Sequence, residues 1–275
     1  MAITADNFDY LRALMLERAA IGLEPDKQYL AEARLARLAN RCSGGDVNQL
    51  IAQCRGGGLD LRRELVEAMA INETFFFRDP LLEQCLTETV LPALIERRQG
   101  VRVLRIWCAA CSTGQEAYSV AMILREHFPA LADWTLEFIA SDFSRPALRQ
   151  AEQGLYAINE VNRGLPAKRL MSWFSQQGLA WQVKPELRQM IRFREINLVG
   201  LWPETARFDL ILIRNVMIYF SAETRRLLLS RLRGQMAADG YLMLGAAETL
   251  DKTGDFKATG PNHRPCYQPA TRRTG

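Results

Sequence analysis

The stretch Val103–Ala121, VLRIWCAACSTGQEAYSVA, limits what this chain can fold into more than any other. Val103-Leu104-Arg105-Ile106-Trp107 has the length and apolar content of a buried β-strand. Small residues follow, Ala109-Ala110-Cys111-Ser112-Thr113-Gly114, and from Gln115 apolar positions recur at helical spacing: Ala117, Val120, Ala121, Leu124. A strand, a tight turn of small side chains and a helix are how an open α/β sheet builds a ligand site at the carboxyl end of its first strand. The small side chains let backbone approach a ligand, and the first N–H groups of the helix are free to donate. The same pattern also serves as an ordinary strand-to-helix connection, so it constrains architecture before function.

With 275 residues, 48% apolar and 24% charged, the chain suits one large domain or two smaller ones and reads as soluble and globular. No apolar run approaches the ~20 residues of a membrane span. The N-terminus lacks the basic start and apolar core of a signal peptide. A cytoplasmic protein without membrane insertion is therefore expected. The six cysteines are scattered, Cys108-x-x-Cys111 is the only close pair, and the two histidines, His127 and His263, have no partner at ligand spacing, so no metal is expected. Charge is uneven: between Arg145 and Glu195 nine basic residues face four acidic ones, a surplus that suits nucleic acid, an acidic protein surface or plain solvation.

Residues 1–70 read as four short amphipathic helices, with Asp6, Pro25-Asp26, Asp46 and Asp60 at their starts. On the second, Arg34, Arg37 and Arg41 form one stripe, with no glutamate among them to neutralise it. Next comes Asn72-Glu73-Thr74-Phe75-Phe76-Phe77-Arg78-Asp79-Pro80. Three successive phenylalanines cannot all face one core from one element, so this segment reads as a connector between domains. Asp79-Pro80 then caps a helix that runs toward Arg98.

Thr135–Ala140 reads as a second strand, ending in Ser141-Asp142, 28 residues beyond Gly114. An acid there is where a nucleotide's ribose hydroxyls are held, although it also suits a helix cap. Residues 155–195 break the strand–helix alternation and read as a small β insert containing Trp173, Phe174, Trp181 and Ile191-Arg192-Phe193-Arg194; Asn197-Leu198 closes a strand. Phe208–Ile213 is the clearest buried strand, and Arg214-Asn215 follows at its carboxyl edge.

Four blocks, Asn72–Asp79, Ala109–Ser119, Ser141-Asp142 and Arg214-Asn215-Val216-Met217-Ile218-Tyr219-Phe220, resemble in order and spacing the signature blocks of the CheR chemotaxis receptor methyltransferases. The resemblance covers nearly the whole chain. It implies an α/β fold: an N-terminal all-helical receptor-docking domain (1–70), a linker and connecting helix (71–98), and a Rossmann-like methyltransferase domain (99–275) with a small antiparallel β insert (about 157–195). It implies S-adenosylmethionine as methyl donor, no metal, and glutamate side chains of chemoreceptors as acceptors. Cofactor contacts fall on Asn72, Thr74, Arg78, Glu116, Asp142, Asn197, Leu198, Arg214 and Asn215. Gln115 stands where many relatives carry a second acid, which leaves Gln115 and Glu116 as alternatives for one contact. Arg78 and Tyr219 are the candidates for orienting the reacting groups.

The expected partner is the cytoplasmic helical region of chemoreceptors, met by Arg34, Arg37 and Arg41, rather than nucleic acid, and a monomer is expected. Relatives that grip a receptor's C-terminal pentapeptide carry a longer glycine-bearing loop in the insert; here Phe174–Trp181 is short with one glycine, which points to independence from the pentapeptide. Two rival readings remain: a non-catalytic adaptor of the same fold, and an NAD-dependent oxidoreductase, for which the turn supplies only Gly114 where three glycines are wanted.

Overall fold

Thr4, rather than Asp6, opens the first helix: its hydroxyl accepts the Asn7 N–H, while Asp6 lies in the first turn, where the helix dipole favours a negative charge. In the computed structural model, which describes residues 2–250, 254–259 and 266–270, the chain forms two units, residues 1–71 with 219–225 and residues 72–218 with 226–275. The first holds α1 (Ala5–Ala19), α2 (Gln28–Cys42), α3 (Val47–Arg55) and α4 (Leu59–Met69). A 3-10 turn, Pro25–Lys27, precedes α2, and the Asp46 carboxylate caps α3 through the Asn48 and Gln49 N–H groups. Leu11, Leu35, Leu50, Ile51 and Leu65 are fully buried at their shared core.

The second unit runs through α5 (Pro80–Cys85), a π turn over Leu86–Val90, α6 (Leu91–Arg98), β1 (Val103–Ala109), α7 (Gln115–His127), β2 (Thr135–Asp142) and α8 (Arg145–Gln153). Then come β3 (Leu155–Ala157), α9 (Ile158–Val161), α10 (Ala167–Trp173), β4 (Phe174–Gln177), β5 (Ala180–Val183), α11 (Pro185–Arg188) and β6 (Ile191–Glu195). The chain continues with β7 (Phe208–Ile213), α12 (Ala222–Gln235), β8 (Met236–Met243), β9 (Phe256–Ala258) and β10 (Cys266–Pro269). The large sheet has the order β6-β2-β1-β7-β8-β10-β9, parallel from β6 to β8 and antiparallel at β10 and β9. β1 lies where successive strands change direction across the sheet, between β2 and β7. Ala109 pairs with both Ser141 and Ile213, so the three strands end level, and Ala110, Asp142 and Arg214 share one edge.

One expectation changes. The insert's sheet, β3-β5-β4, spans only 155–183, and Ile191–Glu195 is instead the edge strand of the large sheet, parallel to β2. The reason is its alternation: Ile191 is buried, and the Phe193 ring lies 5.8 Å from Tyr118 of α7, so its apolar side continues the main core. The 71–79 connector is anchored by its middle phenylalanine. Phe76 is fully buried in the second unit, edge-on to Tyr156 at 5.1 Å and Phe174 at 5.5 Å. Among the described residues no helix is long and apolar enough to cross a membrane.

Candidate functional site

The turn after β1 is built from residues in conformations side chains seldom adopt. Ala110 and Ser112 have φ of 57° and 50°, and Gly114 has 93°. Gly114 is required twice over, because a Cβ there would also lie 2.8 Å from the Ala151 Cβ and 3.2 Å from the Tyr156 hydroxyl. Such turns store strain and are concentrated at ligand sites. Gly114 leaves the start of α7 without a side-chain cap, so the first helical N–H groups stay available.

Asp142 locks this turn to the end of β2. One carboxylate oxygen accepts the Ser112 N–H at 2.8 Å and the other accepts the Ser144 N–H at 2.9 Å, while α8 is capped by Ser144 rather than by Asp142. Both features of the sequence, an acid at the strand end and a cap, are present on two different residues. The segment 72–79 lies over the same turn: the Ser112 hydroxyl donates to the Asn72 carbonyl at 2.9 Å, and the Phe77 N–H donates to the Ser119 hydroxyl on α7 at 3.0 Å.

Arg214 follows β7 with only 1% of its side chain exposed. It donates to Asp79 at 2.8 Å, to the Leu244 carbonyl at 3.2 Å, and to Glu116. Burial pulls its pKa down, but Glu116 and Asp79 outweigh that and leave it above the usual value, so the guanidinium is a permanent cation. Glu116 is thus tied to Arg214. Gln115, 2% exposed, accepts from the Thr113 hydroxyl at 2.7 Å. Burial and nearby Glu116 push the Cys108 thiol well above its ordinary range, and burial and Asp142 do the same for Cys111, so both are small apolar fillers and not nucleophiles.

The remaining predicted contacts are placed as follows. Asn215 has φ of 58° and half-buried surroundings. Among the described residues, the side chains of Asn72, Thr74 and Asn215 carry no hydrogen bond to protein, and Arg78 makes one, to the Glu73 carbonyl at 2.9 Å, with its guanidinium 5.5 Å from the Phe75 ring centre. Asn197 and Leu198 lie just past β6: the Asn197 amide oxygen accepts the Val199 N–H at 3.1 Å, and the Leu198 carbonyl accepts from Arg231 at 2.9 Å. Tyr219 closes a 3-10 turn, Met217–Tyr219, shortly after Arg214 in the chain.

Three contributors were not legible. Glu248, 4% exposed, accepts four backbone N–H groups, from Asn215, Val216, Met217 and Gly245, at 2.8–3.0 Å, and so fixes the loop after Arg214. Asp79 reads as a helix cap, which it is, but its second oxygen holds Arg214. Tyr156, from the insert, donates to the Thr113 carbonyl at 2.7 Å.

The arginine stripe belongs to the first unit. Arg34 donates to the Met69 carbonyl at 2.9 Å, and Arg41 pairs with Glu64 of α4. The neutralising glutamate absent from the stripe is thus supplied by another helix. Arg37 is exposed and unpaired among the described residues.

A mostly parallel sheet with its ligand edge at a strained small-residue turn, an acid after the second strand and polar side chains after the fourth parallel strand define a Rossmann-like domain of the kind that binds a ribose-bearing ligand. The CheR methyltransferase, SAM binding domain, matches residues 72–264, and the chain belongs to that family. It is 38% identical over 262 residues to "Chemotaxis protein methyltransferase 1" of Pseudomonas aeruginosa, covering 93% of this chain and 94% of that one. It is 36% identical over 257 residues to "Chemotaxis protein methyltransferase Cher2" of Pseudomonas putida, covering 90% and 92%.

Proposed function

We propose that this protein transfers the methyl group of S-adenosylmethionine to glutamate side chains of chemoreceptors, giving methyl esters. The observation that carries the reading is the carboxyl edge itself, where Asp142, the 110–114 turn and the 72–79 segment are joined by direct hydrogen bonds. The residues fit the donor. Asp142 offers a carboxylate for ribose hydroxyls, Asn72, Thr74 and Asn215 offer unspent polar side chains, and the start of α7 offers free N–H groups. When bound, S-adenosylmethionine supplies an already activated methyl group on a cationic sulfur.

The acceptor needs little from the protein. A glutamate carboxylate, with an ordinary pKa of ~4.3, is an ionised nucleophile at neutral pH. No general base is therefore called for, and the chain's task is alignment of the reacting groups and exclusion of water. Arg78, with one guanidinium hydrogen bond among the described residues, is suited to steer the incoming carboxylate. Tyr219 is kept as an orienting side chain.

Transfer of labelled methyl from S-adenosylmethionine to purified receptor tests the whole reading. Base-labile label on receptor is expected; binding of S-adenosylhomocysteine without any transfer would favour a non-catalytic adaptor instead.

The docking role of α2 narrows to Arg37, because its two neighbours already have acceptors within the bundle. Arg37→Glu should raise KM for receptor several-fold at low salt and leave affinity for S-adenosylhomocysteine unchanged. Independence from a receptor pentapeptide is supported by the β4–β5 hairpin, whose two connecting residues are Gly178, at φ of 60°, and the exposed Leu179. Calorimetry with such a pentapeptide should show no heat, and micromolar binding would overturn this part.

A further inference from the structure

Three consecutive phenylalanines, Phe75, Phe76 and Phe77, point three ways, and each meets the stretch between β3 and β5. Arg163 lies 4.4 Å over the Phe75 ring and pairs with Glu73 at 2.6 Å. Phe76 sits edge-on to Tyr156 and Phe174. Its carbonyl also passes so close to Gly164, where φ is 85°, that a Cβ there would lie 2.0 Å from the oxygen. Arg169 of α10 lies 4.1 Å over the Phe77 ring.

Arg169 is the unusual member. Its side chain is 14% exposed and forks between Glu83 of α5, at 3.0 Å, and Glu126 of α7, at 2.7 and 2.9 Å. Trp173 donates to the other Glu126 oxygen at 2.8 Å. Glu83, Glu126 and His127 have the geometry of a cation cluster, but the guanidinium already supplies the cation. Two carboxylates from two helices therefore hold one cation over the Phe77 ring. Phe77 in turn donates its N–H to Ser119, in the segment that carries Asn72, Thr74 and Arg78. No regular helix or strand covers 71–79, so its place is set by the ring contacts together with the Asn72, Phe77 and Asp79 hydrogen bonds.

We propose that Arg169 is a positioning residue for methyl transfer: by pressing on Phe77 from the insert, it sets the 72–78 segment over the turn after β1. The proposal rests on the reading of 72–78 as part of the cofactor site. It makes the insert the frame of the site and not only an outer attachment.

The test is a double-mutant cycle on the full chain, read as affinity for S-adenosylhomocysteine by calorimetry. Arg169→Met and Phe77→Leu are each expected to weaken binding by about threefold to tenfold, as loss of one partly buried cation–ring contact implies. The double variant should be no weaker than the worse single one, and Arg169→Lys, which keeps a cation, should recover part of the loss. Arg98→Met, which breaks an ion cluster at the other end of the sheet, serves as the control: it should lower Tm and leave affinity alone. Should Arg169→Met fold poorly, Arg169→Lys and Phe77→Leu close the cycle in its place. Unchanged affinity in the Arg169 variants, or effects that simply add, would overturn the positioning role, provided Asp142→Asn weakens binding. If Asp142→Asn also binds like the parent, the cofactor reading itself fails and the proposal falls with it.

Discussion

An arginine braced by two carboxylates stands near each end of strand β7, and the two clusters do different things. At the amino end, Arg98 donates to Asp209 at 2.7 Å and to both oxygens of Asp239 at 2.6 and 2.9 Å, and the second Asp209 oxygen takes the Arg105 N–H at 2.8 Å. At the carboxyl end, Arg214 is braced by Asp79 and Glu116. The chemistry is the same, so an arginine held by two acids does not identify a site. What differs is the company. The backbone is irregular at both, with a register shift between Phe208 and Leu210 and positive φ at Arg102 at one end, and positive φ at Ala110, Ser112 and Asn215 at the other. But around Arg98 all four oxygens of Asp209 and Asp239 are used, whereas near Arg214 three polar side chains have no protein partner among the described residues. Exposure differs too: 18% of the Arg98 side chain against 1% of Arg214.

Arg214→Met is the substitution that would separate the two ends most sharply. It strands two carboxylates in a dry setting, which costs about 3–5 kcal/mol, and S-adenosylhomocysteine binding and methyl transfer should both fall by more than about a hundredfold. Retained binding would show the two clusters to be equivalent after all. Asp142→Asn keeps the shape of the edge and removes one charge. Loss of charge-assisted bonds at about 1.5–3 kcal/mol predicts a dissociation constant raised by a factor of tens, measurable by calorimetry, with little change in Tm.

Arg98→Met is the converse. A partly hydrated cluster yields less than a buried one, so about 1–3 kcal/mol of stability should be lost in denaturant titration while cofactor affinity stays within twofold. The pH dependence of that difference gives the finest contrast. Arg98 holds the Asp239 carboxyl below its ordinary range against the opposing effect of burial. A depressed carboxyl contributes stability that is fully present above its unfolded value of ~3.9 and is lost as pH falls through the lower folded value. The parent's advantage over Arg98→Met should therefore be full near pH 7 and shrink below about pH 4. An advantage that persists undiminished at pH 2 would mean packing of the arginine stem, not charge, is what Arg98 contributes.

The parts of this contrast that could be read in the sequence are the parts written locally. Val103–Ala121 carries its strand, turn and helix in consecutive residues, and Asp142 and Arg214 stand immediately after strands whose apolar runs mark their ends. Glu248 was illegible because its four donors lie up to 33 residues away and nothing in Leu244–Leu250 has a period. Glu64 and Arg41 meet from different helices, 23 residues apart. Ile191–Glu195 was misplaced because its exposed arginines alternate as on a surface hairpin, and only the partner strand decides which sheet it joins.

The Asp79–Arg214 pair spans 135 residues, and the loop after Arg214 is fixed by a glutamate at position 248. Contacts so far apart must be paid for in loop-closure entropy before they return anything, and they form late. During synthesis the sheet's first two strands can pair while the ribosome is still adding β7. The carboxyl edge, by contrast, has neither its cation nor its loop brace until Glu248 has left the exit tunnel. Until Glu248 has been added, a nascent chain lacks the full bracing of this edge, and chains stalled before that point would carry the N-terminal helices without a completed carboxyl edge.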